Sequence, residues 1–256
     1  MIAVCIKWVP SPAPSGVSAA DEAAIEMALR HGAHARTSVV AVTVGGVAAE
    51  HGLRMALACG VKTAIRVDAA DELDSASVAA ALSPVVAYST AVWCGDYSTD
   101  RGTGSVPAFL AARLHRQQAL GLVGVDFADP LRVTRRLDGG RREVLRVTGA
   151  AVLSVEGSIA RLRRASLRSA LGAQSADVLP YASSVNAAAA ATEIVVGRYR
   201  PRARVLPAPV GATALDRLRA LCDASAAPQP GETVEASPAI AAQRIIEVLT
   251  DWGYLS

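Results

Sequence analysis

From Ile2 to Arg116, short runs of β-branched and apolar residues alternate with helical windows, and this alternation constrains the fold more than any other feature of the chain. Ile2 to Val9 predicts a strand, Ala20 to His31 a helix, Ser38 to Val44 a second strand and Ala48 to Cys59 a second helix. Ala64 to Val67 follows as a strand, Leu73 to Tyr88 as a helix, Ala91 to Cys94 as a strand and Val106 to Arg116 as a fourth helix. Strands joined through helices pair in parallel. The expected fold class is therefore α/β, a doubly wound, mostly parallel sheet. At 256 residues with 52% hydrophobic and 19% charged positions, the chain can bury such a core.

After Leu120 the period changes to strands without helical windows, and Asp138-Gly139-Gly140 between two alternating runs marks a hairpin. An antiparallel extension of the sheet is expected there. From Leu179 the sequence turns to Ala, Pro and Ser. It holds an apolar run at Glu193 to Val196, a helix near Leu215 to Cys222, a loop AAPQPGE and an amphipathic helix from Pro238 to Trp252. Such a tail has too little apolar mass for its own core, so residues 176–256 are expected to form an arm that wraps another surface, beside a domain over residues 1–175.

The 21 residues from Ser75 to Gly95 carry no charge, yet Pro84 and several Ser and Thr divide them into a helix and a strand rather than a membrane span. Cys5, Cys59, Cys94 and Cys222 show no metal-ligand spacing, and MIAVCIKWVP has no export signal, so a cytoplasmic protein with reduced thiols is expected.

The segment CGDYSTDRGTGSVPAFLA carries the clearest chemistry. A buried strand ends at Cys94, a loop follows, and a helix opens around Ser105 or Val106, where free N–H groups and the positive end of the dipole favour an anion. Gly102 and Gly104 allow close backbone approach, Ser98, Thr99, Thr103 and Ser105 offer hydroxyls, and Pro107 is tolerated in a first helical turn. This reads as a phosphate cradle, without the Walker A or GxGxxG pattern; an ordinary capped loop is the alternative. No catalytic constellation accompanies it. His31, His34, His51 and His115 are scattered and read as surface or capping residues. Asp21, Glu22 and Glu26 complement the dipole of the first helix, and no serine sits on a GxSxG elbow.

Ten arginines lie between Arg132 and Arg168 against only Asp138, Glu143 and Glu156. They suit solvated hairpin edges or an acidic partner. Nucleic acid is the weaker reading, because no aromatic interleaves them and the net charge is only +3.

Taken in order, these segments resemble the β subunit of electron transfer flavoproteins over most of residues 1 to 175. DEAAIEMALR (Asp21 to Arg30) is similar to the family's helix after its NPF turn, and LRMALACGVKTAIRV (Leu53 to Val67) to its second helix and third strand. CGDYSTDRGTGSVPAFLA falls where the family has GKQAIDDDxNQTGQ. RVTRRLDGGRREVLRV matches its hairpin, and RLRRASLRSALGA lies at its partner-recognition loop, RYATLPNIMKA.

The resemblance implies an adenine nucleotide alpha hydrolase-like fold and an electron carrier subunit rather than an enzyme. FAD is held mainly by an α subunit of the heterodimer, AMP or alternatively a second FAD sits in this chain, and electrons pass from a dehydrogenase to a downstream acceptor. Carried over by position, the nucleotide contacts are Cys5, Ser18, Ala19, Ala20, Asp21, Val44 and the loop Gly95, Asp96, Tyr97, Ser98, Thr99, Asp100, Arg101, Gly102, Thr103, Gly104, Ser105 and Val106. Leu167 becomes the docking anchor, ringed by Arg163, Arg164 and Arg168.

Departures bear on the ligand. Only ten residues separate Pro10 from Asp21, shortening a hairpin; Ser18-Ala19-Ala20 replaces Asn-Pro-Phe, and Asp96 replaces a usual Lys or Arg. The shortened, Arg-rich form is similar to actinobacterial members associated with the mycofactocin redox system. A stand-alone adenine-nucleotide sensor of the universal-stress type is the alternative reading, and a scaffold whose loop binds nothing is a third.

Overall fold

The computed structural model describes residues 1–10, 16–69, 73–183, 185, 209, 211–223 and 235–255, in two compact units, Met1–Ile194 and Val195–Ser256. The first unit opens with β1 (Ile2–Cys5), a two-stranded antiparallel ribbon of β2 (Trp8–Val9) and β3 (Gly16–Val17), and α1 (Ala19–His34). Then follow β4 (Val39–Val44), α2 (Glu50–Ala58), β5 (Thr63–Asp68), α3 (Ser75–Val86), β6 (Ala91–Gly95) and α4 (Val106–Leu114). The unit continues with β7 (Gln117–Asp126), β8 (Leu131–Arg136), β9 (Arg142–Val147), β10 (Ala151–Val155), α5 (Leu167–Gln174) and β11 (Leu179–Ala182).

Nine strands form one sheet in the order β11-β5-β4-β1-β6-β10-β7-β8-β9. It is parallel from β11 to β7, and β8 and β9 extend it antiparallel. The doubly wound expectation holds, with the antiparallel extension where the Asp138-Gly139-Gly140 turn placed it; Gly139 and Gly140 adopt φ of 68° and 74°. Strand β1, and strand β6 as far as Cys94, are apolar and buried because helices cover both faces. Ile25 of α1 and Leu53 of α2 pack on one face, Leu82 of α3 and Leu110 of α4 on the other.

The chain winds from β1 outward to β5 and then returns to β6 on the other side of β1, so the order reverses between β1 and β6.

Ile2 to Val9, expected as one strand, is broken after Cys5. Ile6 N–H still donates to Val42 O at 3.0 Å, but the next N–H, of Lys7, donates to the Asp21 carboxylate at 3.2 Å. A 3-10 turn, Val47–Ala49, occupies the expected start of α2. Strand β10 is not part of the antiparallel ribbon: its five residues are all buried, and it inserts parallel between β6 and β7. Residues 179–182, read as part of the arm, pair with β5 as β11.

The uncharged stretch divides into α3, with Pro84 inside it, and β6. Among the described residues no helix is long and apolar enough to cross a membrane. The second unit contains α6 (Ala214–Asp223) and α7 (Pro238–Asp251), as the helical windows predicted. The Glu193 to Val196 run and the AAPQPGE loop lie outside the described residues.

Candidate functional site

At the switch point of the sheet, the carboxyl ends of β1, β4 and β6 bring Cys5, Val44 and Gly95 to a cavity of about 570 Å³. Position and size are those of a small-molecule site in an open α/β sheet. Ile6, Trp8 and Val9 form one wall, the turn of residues 45–49 a second, and Leu73, Val78 and Leu82 a third. The glycine-bearing loop closes the fourth side through Tyr97, Ser98, Asp100, Arg101 and residues 103–107.

Asp21 organises the floor. Its buried carboxylate accepts from Lys7 N and Gly95 N, each at 3.2 Å, and so ties α1 to the ends of β1 and β6. Residue 95 must be glycine, since a Cβ there would lie 2.6 Å from Asp21 Oδ1. Burial pushes the Asp21 carboxyl up to about 7, against the hydrogen bonds from Lys7, Gly95 and Ser18. Ser18 caps α1 by accepting from Asp21 N at 3.1 Å and donates to Tyr97 O at 2.9 Å. Ser18 thus holds the loop from behind, and none of Ser18, Ala19 and Ala20 lines the cavity.

Cys5 and Cys94 are register partners on neighbouring strands. A hydrogen bond with Cys5, together with burial, holds the Cys94 thiol well above its ordinary pKa, so Cys94 stays protonated and is a poor nucleophile.

Within the loop, Gly104 (φ +57°) is required by the chain itself: a Cβ there would lie 2.2 Å from Asp96 O. Gly102 N donates to Ser98 O at 3.0 Å, and Gly102, Asp96 and Thr99 shape the loop without lining the cavity. Burial, and then the negative charge of Glu156, push the Asp96 carboxyl up. Ser105 Oγ lies 2.9 Å from Ser75 Oγ and 3.1 Å from Thr103 Oγ1.

Helices α1, α3 and α5 are capped by the side chains of Ser18, Asp74 and Ser166, whereas α4, like α2 and α7, has no side-chain cap. The N–H of Val106, beside Pro107 which has none to offer, meets no side-chain acceptor among the described residues, at an end that borders the cavity. Both cationic side chains of the lining are engaged. Lys7 pairs with Asp100, and Arg101 Nη1 donates to Leu73 O at 2.8 Å. Burial opposes ionisation of Asp100, yet the hydrogen bonds led by Lys7 hold its carboxyl down to about 2.

Sequence reasoning missed the Trp8 wall, the turn of residues 45–49 and the α3 flank, because nothing local shows that these segments converge. The Trp8 ring rests 5.2 Å from that of His51. His31, expected as a surface or capping residue, is half-buried in the last turn of α1, where its carbonyl accepts from the capping Ala35 N and its Nδ1 accepts from Trp93 Nε1 at 3.2 Å. His115 ends α4 in a left-handed conformation, as a capping residue. Among the described residues no three metal-ligating side chains gather. The arrangement is a largely apolar cavity bordered by the uncapped start of a helix, chemistry that suits a flat ring carrying an anionic group.

A second surface surrounds α5. Leu167 is 77% exposed and Leu171 64%, with Arg164 and Arg168 exposed nearby. Arg163 is committed elsewhere: its Nε and Nη2 donate to the buried Glu26 carboxylate at 2.9 and 3.1 Å. Burial would raise the Glu26 carboxyl, but the Arg163 and Arg30 hydrogen bonds bring it below its ordinary value. At the other end, Arg54 Nη1 donates to Ala173 O, Gln174 O and Ala176 O at 2.8 to 3.1 Å.

Comparison with models of known protein families matches residues 11–186 to the electron transfer flavoprotein domain.

Proposed function

The chain belongs to the electron transfer flavoprotein family, and from that membership we propose that it is the β-type subunit of a two-chain electron carrier. Its partner is an α subunit that holds most of the redox FAD, and the cavity of this chain takes the nucleoside phosphate of AMP, with a second FAD as the alternative occupant. FAD, when bound, supplies the electron chemistry, and the protein supplies position and surroundings.

The observation that carries this reading is the uncapped start of α4 facing an apolar cavity at the sheet's switch point. Ile6, Trp8, Val44 and Leu82 suit a flat ring system, and with Lys7 and Arg101 already engaged, the phosphate falls to the main-chain N–H groups of residues 103–106. Leu167, flanked by Arg164 and Arg168 on a capped helix, supports docking of a dehydrogenase, with electrons leaving to a downstream acceptor.

The test is to denature the purified protein and identify what enters the supernatant by mass spectrometry, alongside co-purification with the α subunit. AMP in near-equal amount supports a structural nucleotide, and FAD supports a second flavin site. A homogeneous protein that releases neither and forms no heterodimer overturns the reading.

A further inference from the structure

The register of β8 and β9 places Arg132 opposite Arg146, Thr134 opposite Val144, and Arg136 opposite Arg142. Directly opposed residues of an antiparallel pair share a face, as do alternate residues along each strand. Four arginines therefore occupy one face of this ribbon, all exposed, around a Val144 that is itself 64% exposed. The opposite face carries Val133 and Val147, which are buried in the core, with Leu131 and Leu145 packed against them.

Among the described residues, Arg132, Arg142 and Arg146 have no hydrogen-bond or ion-pair partner; Arg136 meets Glu156 at 3.3 Å. Asp126 on β7 stands opposite Arg132, but its carboxylate accepts from Ala128 N at 3.2 Å. Like charges directly opposed across an antiparallel pair destabilise it, and here that occurs twice within three successive alternate positions. Protection of a sheet edge accounts for arginine on β9, the outermost strand, but not for its partners on β8, which lies between β7 and β9.

We propose that this arginine face is a docking surface for an acidic protein, separate from the surface presented by α5. The core of a permanent interface is depleted of charge, whereas a brief encounter gains rate from it. A second copy of this chain would set the same four arginines against themselves. Nucleic acid fits less well, because the strands that form the face carry no aromatic residue to stack a base.

Helix α5 packs on α2, beside β4 and β5, and β8 is six places from β5 in the sheet, roughly 25–30 Å at ordinary strand spacing. The two surfaces do not overlap. That the acidic protein is the second of the two redox partners an electron carrier must meet rests on the reading above; the docking surface itself does not.

Labelled poly-L-glutamate serves as the acidic probe, titrated by fluorescence anisotropy at low ionic strength and again at about 0.15 M salt. Reversing Arg132→Glu together with Arg146→Glu is expected to weaken binding about tenfold at low salt, and Arg164→Glu with Arg168→Glu less than about twofold. Equal losses in the two variants overturn the proposal, since the polymer would then read net charge alone. Tighter binding of a short DNA duplex than of the polymer at about 0.15 M salt also overturns it. Arg146→Thr is expected to raise the melting temperature of the free protein at low salt while weakening the probe; a lowered melting temperature would show that Arg146 is kept for the fold and would overturn the docking role. None of these outcomes depends on whether the chain carries a nucleotide or pairs with an α subunit.

Discussion

Asp21 carries two tasks that pull against each other, closing the ends of two strands with its carboxylate while losing nearly all contact with water. With its carboxyl at about 7 in the folded chain against 3.8 ordinarily, the native state keeps a proton that the unfolded chain has released between those values. Stability from this group therefore falls as pH rises from about 4 to 7. Glu26 and Asp100, held below their ordinary values, act in the opposite sense, and their contribution is lost as acid protonates them below about 4. Asp21→Asn should flatten the decline of melting temperature between pH 5 and about 8, and also lower it at pH 5 because one N–H loses its acceptor. An unchanged slope would assign the decline to other groups. Gly104→Ala should cost at least about 2 kcal/mol in urea unfolding, from the left-handed backbone and the approach to Asp96 O, and should lower bound nucleotide. Gly102→Ala should cost less, since its new Cβ meets only the edge of the Tyr97 ring, at 3.0 Å. The carboxylate at a helix start and the glycines in a loop were legible in the sequence. The burial of Asp21 was not, since it depends on backbone brought from other strands, and neither was the fold of the loop back onto Asp96, since it depends on turn geometry within residues 96–104 that no local pattern marks.

Helix α5 shows what an element adds to its residues. Its capping serine, its exposed leucine and its flanking arginines can be read from RLRRASLRSALGA, but its anchoring cannot, because Arg163 and Glu26 are 137 positions apart and Arg54 reaches the helix end from α2. Leu167→Ala should slow reduction by the dehydrogenase with flavin content unchanged; equal rates would remove it from docking. Glu26→Gln tests the anchor. It should cost about 1–3 kcal/mol of stability and raise KM for the dehydrogenase while kcat holds, because the segment that presents α5 would loosen without any change at the cavity. A fall in kcat alone would contradict that division. Among the strands, period and apolar content identified β1, β4, β5 and β6, but could not show that β10 enters between β6 and β7 or that β11 joins β5, since pairing partners remote in sequence leave no local trace.

At the scale of the molecule, the α/β unit holds the sheet and the cavity, whereas α6 and α7 bury none of their described residues within the second unit. Ile240, Ile245 and Ile246 on α7 are all more than half exposed, apolar surface of the kind that an arm wrapped on a partner would bury. A chain ending at Ile194 should therefore unfold cooperatively within a few degrees of the full chain, yet fail to co-purify with the α subunit. Retained pairing would place the subunit contact on the α/β unit alone. The cavity has a broader consequence, since its walls come from segments between Cys5 and Pro107 and a molecule seated there touches strands, turns and helices at once. By mass action such an occupant at a hundred times its dissociation constant adds about 2.7 kcal/mol to the folded state. Cellular supply of the small molecule would then govern how long each copy of the carrier survives, making its abundance a gauge of the pool it draws from.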